Sequence, residues 1–69
     1  MIKYIEVTDK DEGFRAIFPV FAIRSVIEDT DGNAILEVGE TKRGEPISFI
    51  AAEKYEQIAA QLMPRVIGD

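Results

Sequence analysis

The sequence predicts an α+β domain: a five-stranded antiparallel meander curled into a half-barrel and packed by one C-terminal helix. Three observations carry that expectation. Short apolar segments, several of them alternating with polar residues, are separated by charged or Gly/Pro-containing turns. Each connection between them is short enough for an antiparallel hairpin. Beyond the last segment, Ala51, Tyr55, Ile58, Ala59 and Leu62 recur at three- and four-residue intervals, the stripe of an amphipathic helix. Lys54, Glu56, Gln57, Ala60 and Gln61 fall largely on the other side. So short a helix is marginal alone in water and must dock its stripe on the β-rich segment before it.

The first strand covers about residues 2–8. Ile5 and Val7 share one face, Ile2 and Tyr4 the opposite one. Either the strand is apolar on both faces, and therefore central, or it carries a bulge near Tyr4. Asp9-Lys10-Asp11-Glu12-Gly13 makes a charged turn closed by glycine. The second strand, 14–18, sets Phe14, Ala16 and Phe18 against Arg15 and Ile17. Pro19 cannot donate to a ladder, so it ends this strand or sits at an edge. Residues 19–22 read as a tight bend or a turn of 3₁₀ helix burying Val20 or Phe21, before a third strand over 23–28.

Asp29-Thr30-Asp31-Gly32-Asn33 is the clearest punctuation in the chain. Asp-Gly between apolar runs is a strong hairpin signal, because these residues tolerate positive φ. The returning strand, 34–40, sets Ala34, Leu36 and Val38 against Ile35, Glu37 and Gly39. A more basic loop, 41–46, leads to a last strand at 47–50. The helix is expected over about 52–63, starting near Ala51 or Ala52 and ended by Pro64. No Ser, Thr, Asp or Asn stands just before it, so its cap is poor, although Glu53 and Glu56 suit the helix dipole. In the tail, Val66 and Ile67 suggest packing on the body or on a neighbouring subunit.

A chain of 69 residues allows one domain, burying only about 60% of its unfolded surface. Small scaffolds add disulfides, a metal or a partner subunit. Cysteine and histidine are both absent, so disulfides and the usual zinc, copper and iron ligand sets are missing. No cofactor or metal site is expected. Oligomerisation is the remaining staple, and a homo-oligomer is the expectation. An apolar fraction of 46% argues against disorder, and a net charge of −5 opposes general binding to a phosphate backbone. No apolar run approaches a membrane span, and the N-terminus lacks the pattern of a secretory signal, so a cytoplasmic address is expected.

The usual base–nucleophile pairs cannot be made without His or Cys. Ser25 and Ser48 sit in strands without a nucleophile elbow. Asp29, Asp31, Asn33 and Glu40 match the first, third, fifth and twelfth places of a calcium loop, but Ala34 stands where that loop needs glycine. Lys42 and Arg43 are flanked by Glu40 and Glu45, which suits a solvated hairpin tip better than a nucleic-acid contact. Glu6, Asp9, Asp11, Glu12, Glu28, Asp29 and Asp31 would form an acidic, DNA-like surface if the first two turn regions lie close; solubility accounts for them equally. Tyr4, Phe14, Phe18, Phe21, Phe49 and Tyr55 could line a ligand groove, but in so short a chain rings are more often the core. Ala51, Ala52, Ala59 and Ala60 permit close approach, and Met63, Val66 and Ile67 extend the apolar stripe. Such an edge commonly marks a protein contact.

The Ile-rich first strand, the bend at Pro19, Val26-Ile27-Glu28, the Asp31-Gly32 turn, an aliphatic strand and the closing Glu53-Lys54-Tyr55-Glu56-Gln57-Ile58 together resemble the short FlbD-type proteins linked to flagella and swarming. They are also similar to small uncharacterised proteins of gut Bacteroidetes. The likeness is one of pattern along most of the chain. It implies a small bacterial β-meander with a terminal helix and non-enzymatic work, with no catalytic residue to carry over.

The expectation is therefore a non-enzymatic protein-interaction module that self-associates, with Ala59, Met63, Val66 and Ile67 as its contact residues. Its alternative is an acidic, DNA-mimicking inhibitor or accessory factor of a nucleic-acid-binding protein, possible for a phage-derived gene.

Overall fold

The computed structural model describes residues 3–63. Five strands precede one α-helix: β1 (Tyr4–Thr8), β2 (Arg15–Pro19), β3 (Ser25–Glu28), β4 (Asn33–Glu40), β5 (Pro46–Lys54) and α1 (Tyr55–Leu62). The α+β class and the antiparallel pairing are as expected. The single curled meander is not: β1 and β2 form one sheet, β3, β4 and β5 another.

The break lies at Pro19. Its missing N–H falls on the side away from β1, where a further strand would pair; on the β1 side the Val20 N–H still donates to the Lys3 carbonyl at 2.9 Å, and a 3₁₀ turn, Val20–Ala22, follows directly. This turn buries neither candidate fully, but Val20 packs against the core while Phe21 is 77% exposed. The chain thus leaves β2 without pairing it to β3. The two sheets meet elsewhere, where the end of β1 reaches the free edge of β5. There Asp9 and Ala51 form an isolated antiparallel bridge, and the Lys10 N–H donates to the Ile50 carbonyl at 2.9 Å.

The last strand is the second correction. Instead of stopping at residue 50 it runs to Lys54, and α1 begins at Tyr55 rather than at residue 52. Ala51-Ala52-Glu53-Lys54 has good intrinsic helix propensity, but tertiary hydrogen bonds override so weak a preference. The Asn33 side chain donates to the Ala52 carbonyl at 2.8 Å. The Glu53 carboxylate accepts from the Thr8 N–H at 2.9 Å and from its hydroxyl at 3.0 Å. Lys54 is the register partner of Asn33. The helix then starts under two local ties: Lys54 N–H donates to Gln57 Oε1 at 3.0 Å, and Tyr55 N–H to the Gly32 carbonyl at 2.8 Å. The first is the backward half of a capping box, supplied by a glutamine that the search for a conventional cap residue passes over.

The core gathers Ile5, Val7, Ala34, Leu36, Ala51 and Ile58, with Ala16, Phe18, Val26, Phe49 and Leu62 among its partly buried flank. Ile5 and Val7 are buried while Tyr4 is exposed, so β1 is one-faced. From the described part of α1 only Ile58 is fully buried, with Tyr55, Ala59 and Leu62 half-buried beside it. Phe18 and Phe14 both meet Phe49 edge-on, with centroids 5.3 and 6.0 Å apart. These edge contacts bridge the two sheets, since Phe18 belongs to β2 and Phe49 to β5. Pro64, Val66, Ile67 and Ile2 lie outside the described residues, as does every expectation placed on them.

Candidate interaction surface

Each strand of the three-stranded sheet carries an apolar doublet: Val26-Ile27, Ile35-Leu36 and Phe49-Ile50. Neighbouring side chains in a strand point to opposite faces, so each doublet sends one member to the core and one outward. The register aligns them. Val26, Leu36 and Phe49 form a cross-strand row toward the core, and Ile27, Ile35 and Ile50 a matching row on the opposite face. Ile27 is 56% exposed and Ile50 40%, with Ile35 half-buried between them. Strand spacing near 4.8 Å makes this a strip about 10 Å across. Beside it runs a polar row, Ser25, Glu37 and Ser48, in which the Ser25 hydroxyl donates to Glu37 at 3.0 Å.

The other sheet continues the theme more sparsely. Tyr4 faces Pro19 and Glu6 faces Ile17 across β1 and β2. Tyr4 and Ile17 are exposed, and an Arg15–Glu6 ion pair at 3.5 Å lies among them.

Of the contact residues expected from the sequence, Ala59 is half-buried and Met63 is exposed, at the end of α1. Ala51 is fully buried in β5 rather than presented on a helix. The isoleucine row was missed, because Ile27, Ile35 and Ile50 lie in three separate strands and were never aligned with one another. Reading the three doublets together, with the Asp-Gly turn fixing their register, would have found it.

The acidic turns do lie close, and a lysine joins them. Lys10 Nζ sits 3.2 Å from Asp31 and 3.7 Å from Asp29. Asp9 Oδ2 accepts from the Asp11 and Glu12 N–H groups, and Asp29 Oδ1 from those of Asp31 and Asn33. Two of the grouped acids are thereby holding their own turns together. Partial burial pushes the Asp29 carboxyl up, but the N–H groups of Asn33 and Asp31 and the Lys10 charge outweigh it and hold it below the ordinary carboxylate value. The Asp31 hydrogen bond raises Lys10 above the ordinary lysine value, against a smaller opposing effect of burial. Gly32 closes the second turn at φ 86°, a conformation that favours glycine.

Among the described residues no group of three or more acidic side chains converges as a metal site. No helix among them is long and apolar enough to cross a membrane. No buried side-chain polar atom among them lacks a hydrogen-bond partner.

No family model, curated protein or solved structure matches this chain.

Proposed function

We propose that the protein is a small, non-enzymatic, cytoplasmic protein-interaction module that self-associates, with the outer face of the β3–β4–β5 sheet as its principal contact surface. The observation that carries this reading is the Ile27–Ile35–Ile50 row, aligned across three strands on the face turned away from α1. Isolated exposed apolar residues are ordinary; a contiguous cross-strand row bordered by polar side chains is the pattern of a contact. The non-catalytic part is supported by the chemistry of the candidate nucleophiles: Ser25 donates to a carboxylate within its own sheet, and Ser48 is exposed in the same polar row. The exposed Met63 beside half-buried Ala59 offers a second, smaller contact region at the end of α1.

The closeness of the acidic turns lends some support to the DNA-mimic alternative. Lys10 between them, and the use of Asp9 and Asp29 inside their turns, weaken it.

The test is molar mass by light scattering over a wide concentration range. The wild-type mass should rise with concentration and persist in high salt, since apolar contact is little screened. Ile27→Lys should remain monomeric. An Ile27→Lys protein that associates like the wild type overturns the reading. A mimic would instead capture a basic partner and release it steeply as salt rises.

A further inference from the structure

Two charged side chains border the isoleucine row, one on each side. Asn33, Ile35 and Glu37 alternate along β4 and share its outer face. Residues directly opposite in a ladder share a face, so Lys54, the register partner of Asn33, joins them. Glu37 thus stands in the row on one side of Ile35, and Lys54 in the row on the other. Among the described residues the ion pairs are Lys10 with Asp29 and Asp31, Arg15 with Glu6, and Arg24 with Glu40. Glu37 and Lys54 take neutral partners instead, the Ser25 hydroxyl and the Asp31 carbonyl. Asp29, bonded to Asn33 at the β3 end of the Lys54 row, is already met. Its Oδ1 accepts two N–H groups of its own turn, and its Oδ2 faces Lys10 at 3.7 Å.

We propose that the outer faces of the β3–β4–β5 sheets of two copies of this chain stack about a two-fold axis running along the isoleucine row, so that Glu37 of each copy comes beside Lys54 of the other. This geometry rests on the self-association reading above and specifies it. A two-fold axis between stacked sheets lies midway between them and runs either across the strands or along them. Across the strands, Ile27, Ile35 and Ile50 each meet their own copy. Glu37 then lies over Asn33 of the other copy, one strand spacing of about 4.8 Å to the side of Lys54. Sheets about 10 Å apart leave that gap within the combined reach of a glutamate and a lysine. Along the strands, Glu37 would lie over Glu37 of the other copy, and Lys54 over an Asp29 whose oxygens are already engaged. Like charge facing like disfavours an interface, which selects the axis across the strands.

Two further features fit. Ser25 and Ser48 flank Glu37 in its row, so the paired charges sit in a polar rim around an apolar centre, the ordinary anatomy of a contact. A patch three strands wide is smaller than the interfaces of permanent dimers, and the pair therefore forms in a concentration-dependent way.

The test is a charge swap read by sedimentation equilibrium. In low salt, Glu37→Lys and Lys54→Glu should each weaken dimerisation about tenfold, by replacing two attractions with two repulsions. The double variant E37K/K54E should regain most of the loss. High salt should bring each single variant back toward the wild type, because repulsion between exposed charges is screened; a damaged fold would not respond in that way. Lys42→Glu makes the same change in net charge on the 41–46 loop and should dimerise like the wild type. If it weakens the dimer as much as Lys54→Glu does, net charge accounts for the loss and the geometry is wrong. Should Glu37→Lys tighten the dimer, or both single variants dimerise normally while Ile27→Lys stays monomeric, the axis is wrong and the contact surface stands. Should Ile27→Lys also dimerise normally, both fall.

Discussion

Ile58→Ala probes the fully buried side chain that α1 contributes to the core among the described residues. Ile58 is fully buried against Leu36, Ala34 and their neighbours. Removing its outer carbons leaves a cavity under a helix of eight residues, too short to persist undocked. Buried Ile→Ala changes cost about 2–5 kcal/mol, and a value near 3 suits a site enclosed by both sheet and helix. Whole-domain stability, at roughly 0.05–0.15 kcal/mol per residue, comes to about 3–10 kcal/mol. One substitution therefore removes a large share of it. With a urea slope of about 1 kcal/mol per molar the midpoint should fall by about 3 M. The melting temperature should drop by about 10–25 °C. Urea and thermal denaturation, each followed in parallel by far-ultraviolet circular dichroism and by tyrosine fluorescence, measure the two shifts. A loss below about 1 kcal/mol, or helix signal vanishing while the sheet melts unchanged, would refute the claim that α1 completes the core.

Asn33→Ala should cost about 1–3 kcal/mol, because it leaves the Ala52 carbonyl without its donor in a part-buried position; faster amide exchange at Tyr55, whose N–H bonds the adjacent Gly32, should accompany the loss. Glu53→Ala should cost about 1–2 kcal/mol by releasing Thr8 and loosening the tie between the sheets, whereas exposed Glu56→Ala should change the urea midpoint little. Because folding lowers the Asp29 pKa, its contribution is present above the ordinary carboxylate value of 3.8 and is lost as pH falls through its lower folded value. Folding raises Lys10, so its contribution is present below the ordinary lysine value and is lost as pH rises through the raised one. A urea-midpoint titration should show both limbs, with Asp29→Asn flattening the acid one; an unchanged acid limb would remove Asp29 from the account.

Much of the architecture is written in local chemistry. Alternation placed β1, β2 and β4 to within a residue or two of their observed bounds, because a half-buried strand must repeat every second residue. Asp31-Gly32 announced the second turn because few residues accept its φ, and Pro19 announced the end of β2 because it offers no donor to a further strand on the side away from β1. The stripe through Ile58 required a docking surface, and the structure provides one. What local chemistry could not supply is which distant group answers which. Residues 51–54 are drawn into β5 by Asn33, Thr8 and Asp9, up to 45 positions away. The division into two sheets follows from a 3₁₀ turn whose direction depends on what Val20 can bury against. The isoleucine row exists only once three strands share a register, since each doublet alone is compatible with either face. Short-range periodicity sets which side chains can share a face. Long-range hydrogen bonds choose where strands stop and which of those faces meets water.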